Sequence, residues 1–334
     1  MTETVTDIPS DTSPNRRAAF RANLPSGSGQ AIIIAVVWIL LIAATGLYRH
    51  DFLSQQTVLA ITFTMAIAGV LAVAQALVGM SGAILDLSQP TALIMSAAIV
   101  AWLLGLDAPI PLAVAAGITT GAAWGLLNAL VVVVARLNPI IVTLATNFIG
   151  VAGMFLIYQN AQVPIRSPLA DFGKTYFLGL PNIWWPMVIL VLAVGYFVPR
   201  TRYGRHMIAV GGNRFAAQAR GISLRKTRFA VFTISGAIVG AAGVLFAASN
   251  GPFAPTAGAT FQLPVIASVI LAGCSLAGGR GNIWLILLSV GFLSTVPTSL
   301  VFFGFNSNWQ AVFQGIILIA AVSIDGWRAK RLLR

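Results

Sequence analysis

Long apolar runs, separated by short polar or glycine-rich breaks, recur from Ala31 to about Asp325. Ten stand out, at roughly 31–47, 57–79, 91–105, 111–135, 141–159, 183–198, 229–249, 263–276, 282–303 and 309–325. A helix needs about 20 apolar residues to cross the hydrocarbon core of a bilayer. Several of these runs fall short. A short apolar helix is accommodated when it is buried among neighbours or forms half of a broken span. The pattern predicts an all-α, polytopic membrane protein with about ten transmembrane helices. Two breaks are unlike the others: GMSGAILDLSQPT, residues 79–91, after the second run, and NGPFAPTAGATFQLP, residues 250–264, after the seventh. Five runs separate them, so they enter from opposite faces of the membrane. Matched glycine- and proline-broken segments are what an inverted repeat produces, with a solute path between the halves near the midplane.

Composition supports this class. The chain is 58% hydrophobic and 8% charged, whereas about a quarter of a soluble domain is charged. A formal net charge of +12 would suggest a nucleic-acid partner in a soluble protein. Here the basic residues flank apolar runs, where they set orientation, so no nucleic-acid partner is expected. Seventeen of the twenty Lys and Arg residues fall on one side of the predicted membrane, and only Arg49, Arg166 and Lys174 fall on the other. The positive-inside bias then puts both termini in the cytoplasm, with six crossings before the loop 199–228 and four after it. Residues 1–30, rich in Ser, Thr and Pro, read as a disordered cytoplasmic tail, 31–325 as the membrane domain, and 326–334 as a basic cytoplasmic tail. The run from Ala31 is too long for the apolar core of a cleavable signal.

The segment from Arg200 to Arg228 carries eight of the basic residues and no acidic one. Orientation accounts for the charge but not for the order of residues. Asn213 is a good helix N-cap, Arg214 to Arg220 is a run of helix formers including Ala216, Ala217 and Ala219, and Gly221 suits a left-handed C-cap. The predicted two-turn helix is below the roughly 12 residues at which isolated helices become stable in water. Docking is therefore needed to order it. Its alanines permit close approach of a partner surface, and Arg214 and Arg220 can meet carboxylates at the rim. The competing reading is an amphipathic helix lying on anionic headgroups with Phe215 dipping into the interface.

The run GGNRFAAQARGISLRKTR, then SGAIVGAAGVLFAA, PTAG (Pro255 to Gly258) and LAGCSLAGGRG (Leu271 to Gly281), resembles the permease subunits of bacterial ABC sugar importers of the ribose-transporter type. GLLNALVVVVARLNPIIVTLAT (Gly125 to Thr146) and DLS (Asp86 to Ser88) are similar to motifs of that family, in the same order. The resemblance covers about residues 31–325. It implies a permease in the bacterial inner membrane that translocates a sugar or similar polar solute into the cytoplasm. It also implies a partner ATPase that binds ATP and Mg, a second permease copy or a related permease, and an extracytoplasmic solute-binding protein. Asn213, Arg214, Ala216, Ala217, Arg220 and Gly221 would then belong to the helix that seats in the ATPase. The family usually places paired glycines before DLS and a glycine soon after; here Ala83-Ile84-Leu85 follow Gly82 and Gln89-Pro90 follow Ser88. A heterodimer with a non-identical permease therefore stays open beside a homodimer.

GCSLAGGRG has the outer glycine spacing of a phosphate-binding loop, but Gly279-Arg280 stand where Lys and Ser or Thr belong, and the stretch follows an apolar run rather than a strand. With no complete Walker motif, ATP chemistry falls to another subunit. The single Cys274 and the separated His50 and His206 offer neither a metal site nor a nucleophile with its base, so no catalytic residue, metal or cofactor is expected in this chain. Asp86 is the one acidic residue beside an apolar run of the core, a functional candidate by default. Its local reading is structural: Ser88 capping a helix whose first turn holds Pro90, with Asp86 favoured by the helix N-terminus. Thr143, Thr146 and Asn147 share one helix face, and Asn250 ends the seventh run. With Asp86 and Ser88 they are candidates for a polar path, against interhelical hydrogen bonding as the structural alternative. An ion-coupled secondary carrier is the rival function; such carriers place several ionisable groups in the core, and this chain offers Asp86 alone.

Overall fold

The computed structural model describes residues 28–83, 85–158, 162–163, 169–249, 252–275 and 277–332. The expected N-terminal tail, Arg166 and Asn250 lie outside these residues, apart from the last residues of the tail. The described chain is almost entirely helical. Helix α1 (Ser28–Tyr48) leads by a short 3-10 turn to α2 (Gln55–Val78), whose N-cap Ser54 accepts a hydrogen bond from the Thr57 backbone. A π-turn, Gly79–Ala83, and a non-helical stretch over 85–88 precede α3 (Gln89–Gly105), which carries Pro90 in its first turn. There follow α4 (Ile110–Val134), α5 (Pro139–Tyr158) and α6 (Leu169–Lys174). A two-stranded hairpin, β1 (Tyr176–Phe177) and β2 (Leu180–Pro181), turns through left-handed Leu178 and Gly179 and leads into α7 (Trp184–Arg200). Helices α8 (Arg202–Gly212) and α9 (Arg214–Ala219) occupy the basic segment before α10 (Leu224–Ser249). The chain ends with α11 (Gln262–Leu271), α12 (Ile286–Phe302) and α13 (Ser307–Leu332).

Every expected apolar run contains a helix, with ends displaced by a few residues. Among the described residues six helices are long and apolar enough to cross a membrane, or seven if α7 and α8, bent by 76°, count as one span. Gln89–Gly105, Ala257–Leu271 and Asn308–Ala320 are shorter apolar helices. The sequence treats 263–276 as a crossing. In the structure α11 stops at Leu271, and ten residues of helix rise only about 15 Å. The segment 199–228, read from sequence as a loop with one short helix, also contains α8. Its N-cap is Thr201, whose hydroxyl accepts from the Gly204 backbone at 3.1 Å.

Helix α2 occupies the centre. Residues 65–78 are buried without interruption, as befits a helix that is apolar all round, and it packs against α7, α10, α11 and α12. Helices α4 and α10 form the closest pair. A Cβ added to Gly121 would stand 2.3 Å from the Gly236 carbonyl oxygen, one on Gly125 2.1 Å from that of Phe232, and one on Gly240 2.6 Å from that of Gly117. Small residues let two backbones approach and exchange dispersion contacts, which is what holds helices together where the solvent is itself apolar. Helices α1 and α5 turn broad apolar faces outward, with Ile33, Ile39, Phe148 and Leu156 all exposed.

Gly121→Ala is expected to destabilise the detergent-solubilised protein by about 1–3 kcal/mol, the usual cost of overpacking, read as a lowered Tm. Gly153→Ala, where an added Cβ meets nothing within 4 Å, leaves the Tm unchanged or slightly raised.

Candidate functional site

The basic segment folds as a helical elbow. Proline 199 lies in the last turn of α7, and Thr201 starts α8 in a new direction. Asn213 ends α8 and caps α9, its Oδ1 accepting from the Ala216 backbone at 3.0 Å. At the other end Gly221 adopts φ +78. Its N–H donates to the Gln218 carbonyl at 2.8 Å and that of Ile222 to the Ala217 carbonyl at 3.0 Å. This is a complete Schellman closure. Six residues of helix are thus held by caps at both ends, as the order Asn213 to Gly221 predicts. Ala217 points into the protein, whereas Arg214, Phe215, Ala216 and Arg220 are exposed. The surface offered outward centres on Phe215, with the Arg214 guanidinium 4.8 Å from its ring centre.

A second polar cluster lies in the interior. Asp86 Oδ1 accepts hydrogen bonds from the Ser88 backbone at 2.9 Å and the Ser88 hydroxyl at 2.6 Å. The Asn128 amide on α4 donates to Ser88 Oγ, and Thr146 Oγ1 on α5 donates to Asn128 Oδ1, both at 2.7 Å. Thr143 Oγ1 accepts from the Leu87 backbone at 3.0 Å. Thr91 Oγ1 donates to Asn147 Oδ1 at 2.7 Å. With its carboxamide oriented to satisfy both groups, Gln75 on α2 accepts from the Asp86 N–H and donates to the Asp86 carbonyl, 3.1 Å each. The irregular stretch 85–88 has no helix to satisfy its backbone, and this clasp supplies partners from α2 and α5.

Five of the residues expected to form a polar path, Asp86, Ser88, Thr143, Thr146 and Asn147, are therefore brought together. All but Asn147 are buried, and Ser88, Thr143, Thr146 and Asn147 each make a hydrogen bond to another element. Ser88 stands at the N-cap position of α3, but its side chain does not cap the helix, contrary to the sequence reading. The Asp86 carboxylate is the stronger acceptor and receives the hydroxyl's hydrogen bond instead. Sequence reasoning missed Gln75, Thr91 and Asn128. Asn128 was legible as the lone amide inside GLLNALVVVV, an apolar helix in which a polar group needs a partner.

The two broken segments meet in the interior. A Cβ on Gly258, in the 3-10 turn before α11, would lie 2.4 Å from the Pro90 carbonyl oxygen in the first turn of α3. Gln89, Pro90, Phe261 and Gln262 line a small cavity between the two helix starts. The Gly79–Ala83 turn lies against the C-terminal end of α8, on the side of the basic segment. Phe253 instead pairs with Val163 across a backbone bridge, in the stretch between α5 and α6. The two segments thus converge where Pro90 meets Gly258. Two larger cavities, of about 200 and 250 Å³, have predominantly apolar walls and offer little to a polar solute.

Comparisons with known proteins agree with this architecture. The family described as branched-chain amino acid transport system / permease component matches residues 57–322. The ribose import permease protein RbsC of Escherichia coli is 30% identical over 87% of this chain and 92% of its own length. The L-arabinose ABC transporter permease protein AraH of Azospirillum brasilense is 28% identical over 96% of both. The fructose import permease protein FrcC of Rhizobium meliloti is 31% identical over 91% of this chain and 87% of its own. No solved structure matches the chain. The capped helix on the basic side, the broken segments within a polytopic bundle and these similarities lead to one assignment: the chain belongs to the branched-chain amino acid transport system / permease component family and is a permease subunit of an ATP-binding-cassette importer.

Proposed function

We propose that the chain forms, with a second copy of itself or a related permease, the pathway by which a sugar or similar polar solute enters the cytoplasm. Partner subunits bind ATP and Mg and hydrolyse the nucleotide, and an extracytoplasmic binding protein delivers the solute. The sugar class rests on relatives named for ribose, arabinose and fructose. In this reading the six long helices, the bent pair α7 and α8, and the three shorter apolar helices make ten crossings. Helices α3 and α11 are the matched halves of an inverted repeat, and the basic residues keep both termini cytoplasmic.

The observation that carries the proposal is α9: a helix too short to persist alone, closed by caps at both ends and presenting Phe215 outward from the basic side of an apolar bundle. It is the element through which the ATPase moves the permease, with Asn213 and Gly221 fixing its ends and Arg214, Ala216 and Arg220 flanking the contact. Ala217 anchors it to the body. The interior cluster of Asp86, Ser88, Thr143 and Thr146 holds the broken segment beside the path rather than facing the solute. That use of Asp86, with Oδ1 engaged by Ser88, leaves the ion-coupled carrier without an exposed coupling group.

Phe215→Glu is expected to cut recovery of the ATPase subunit at least tenfold when the complex is purified through a tag on this chain, with the chain itself still inserted and monodisperse. Undiminished recovery would remove α9 from the docking role. For the interior cluster, Asn128→Leu leaves Ser88 and Thr146 without their shared partner. It is expected to lower stability by about 0.6–1.7 kcal/mol, the measured scale of hydrogen bonds between membrane helices, seen as a fall in Tm. Thr119→Ala, whose exposed hydroxyl bonds only carbonyls of its own helix, leaves the Tm unchanged.

A further inference from the structure

Three separate parts of the chain meet, backbone to backbone, beneath the docking helix. The first is the π-turn after α2, where Gly82 takes φ +76. The second is the end of α8, Gly211 and Gly212. The third is the turn after α11, where Gly278 and Gly279 take φ +92 and +72. The Gly279 N–H donates to the Met80 carbonyl at 2.9 Å. A Cβ on Gly211 would stand 2.0 Å from that same carbonyl oxygen and 2.6 Å from the Gly279 nitrogen. One on Gly278 would stand 2.7 Å from the Gly82 Cα and 2.8 Å from the Gly211 carbonyl oxygen. No side chain separates these strands of backbone, so a shift of one cannot be absorbed by a change of rotamer in another.

From this junction two arms run into the bundle. One passes through the clasped residues Asp86 to Ser88 to the start of α3; the other runs back along α11 to Gln262. Both end where Pro90 meets Gly258. Asn213, which caps the docking helix, directly follows Gly212. The frame is therefore closed: a junction below, an apex between the two helix starts, and the docking helix attached at the junction.

We propose that Gly211 is a positioning residue for transport, and that its contact with Met80 and Gly279 transmits displacement of α9 to both broken segments at once. The proposal rests on the importer reading above, since it needs an ATPase to move α9. Gly211 touches neither solute nor nucleotide; its missing Cβ is what allows the three backbones to touch.

The test uses the complete complex in proteoliposomes, with the solute-binding protein and D-ribose as the probe solute. In Gly211→Ala, the co-purified ATPase and its basal hydrolysis are expected to match the parent, while solute-stimulated hydrolysis and uptake fall at least tenfold. Gly212→Ala, one residue along, is the control: its Cβ would meet only the Gly279 Cα, at 3.8 Å, and stimulation is expected at the parental level. Should Gly211→Ala fail to assemble, Gly82→Ala carries the same test: at φ +76 its Cβ is strained and would stand 3.1 Å from the Gly211 Cα, so the contact must give, but by only a few tenths of an ångström. Stimulation that survives in Gly211→Ala, or in Gly82→Ala where that variant is needed, or that is lost equally in Gly212→Ala, would overturn the junction as the transmitting contact. A parent complex lacking an ATPase would instead overturn the importer reading.

Discussion

The contact between α4 and α10 is the constraint on which the rest of the bundle depends. In hydrocarbon there is no hydrophobic force between two apolar helices, so association rests on how closely their surfaces fit. Glycines 117, 121 and 125 on one helix and 236 and 240 on the other carry no Cβ, and at 121, 125, 236 and 240 carbonyl oxygens or backbone atoms approach the opposite helix. Once that pair is closed, the remaining helices have defined places. Gly243 receives α3 beside Ser96, and α2 packs along the other side of α10.

That rigid pair lets irregular backbone exist inside the membrane domain. Residues 85–88 leave polar groups without helical partners, which hydrocarbon does not tolerate. Thr143, on α5, accepts from the Leu87 backbone, and Asn128, on α4, donates to Ser88 while Thr146, on α5, holds Asn128 in place. Gln75 closes the other side from α2. The broken segment is thus fixed by side chains of neighbouring helices and is not free to drift. A junction that moves it must move it as a unit, which ties the interior clasp to the glycine contacts below α9.

Much of this was legible in the sequence because the signals are local. Uniform apolar runs mark the helices whatever their neighbours, and the spacing of Asn213 and Gly221 closes a short helix using only its own backbone. The half-helix character of α11 was partly visible in its length, but its stop at Leu271 depends on the turn that follows. What stayed hidden depends on residues distant in sequence. Asn128 finds Ser88 forty positions away, and Thr91 finds Asn147 across fifty-six; neither side chain announces its partner. Helix α8 was missed because its pattern is that of an interfacial helix, with Arg202, Arg205 and His206 outward and Met207 and Val210 inward, embedded in a stretch whose charge is explained by orientation. Gly278 and Gly279 form a turn, and the backbone they touch was beyond any local rule.

The central claim is that this chain moves a polar solute only when an attached ATPase works on it. The most direct measurement is uptake, by proteoliposomes holding the purified complex, of the labelled sugar that its solute-binding protein is found to bind, with that protein outside and ATP inside or absent. The account predicts accumulation that requires internal ATP and the binding protein and is indifferent to proton or sodium gradients. Accumulation by this chain alone, driven by an ion gradient without ATP, would contradict it.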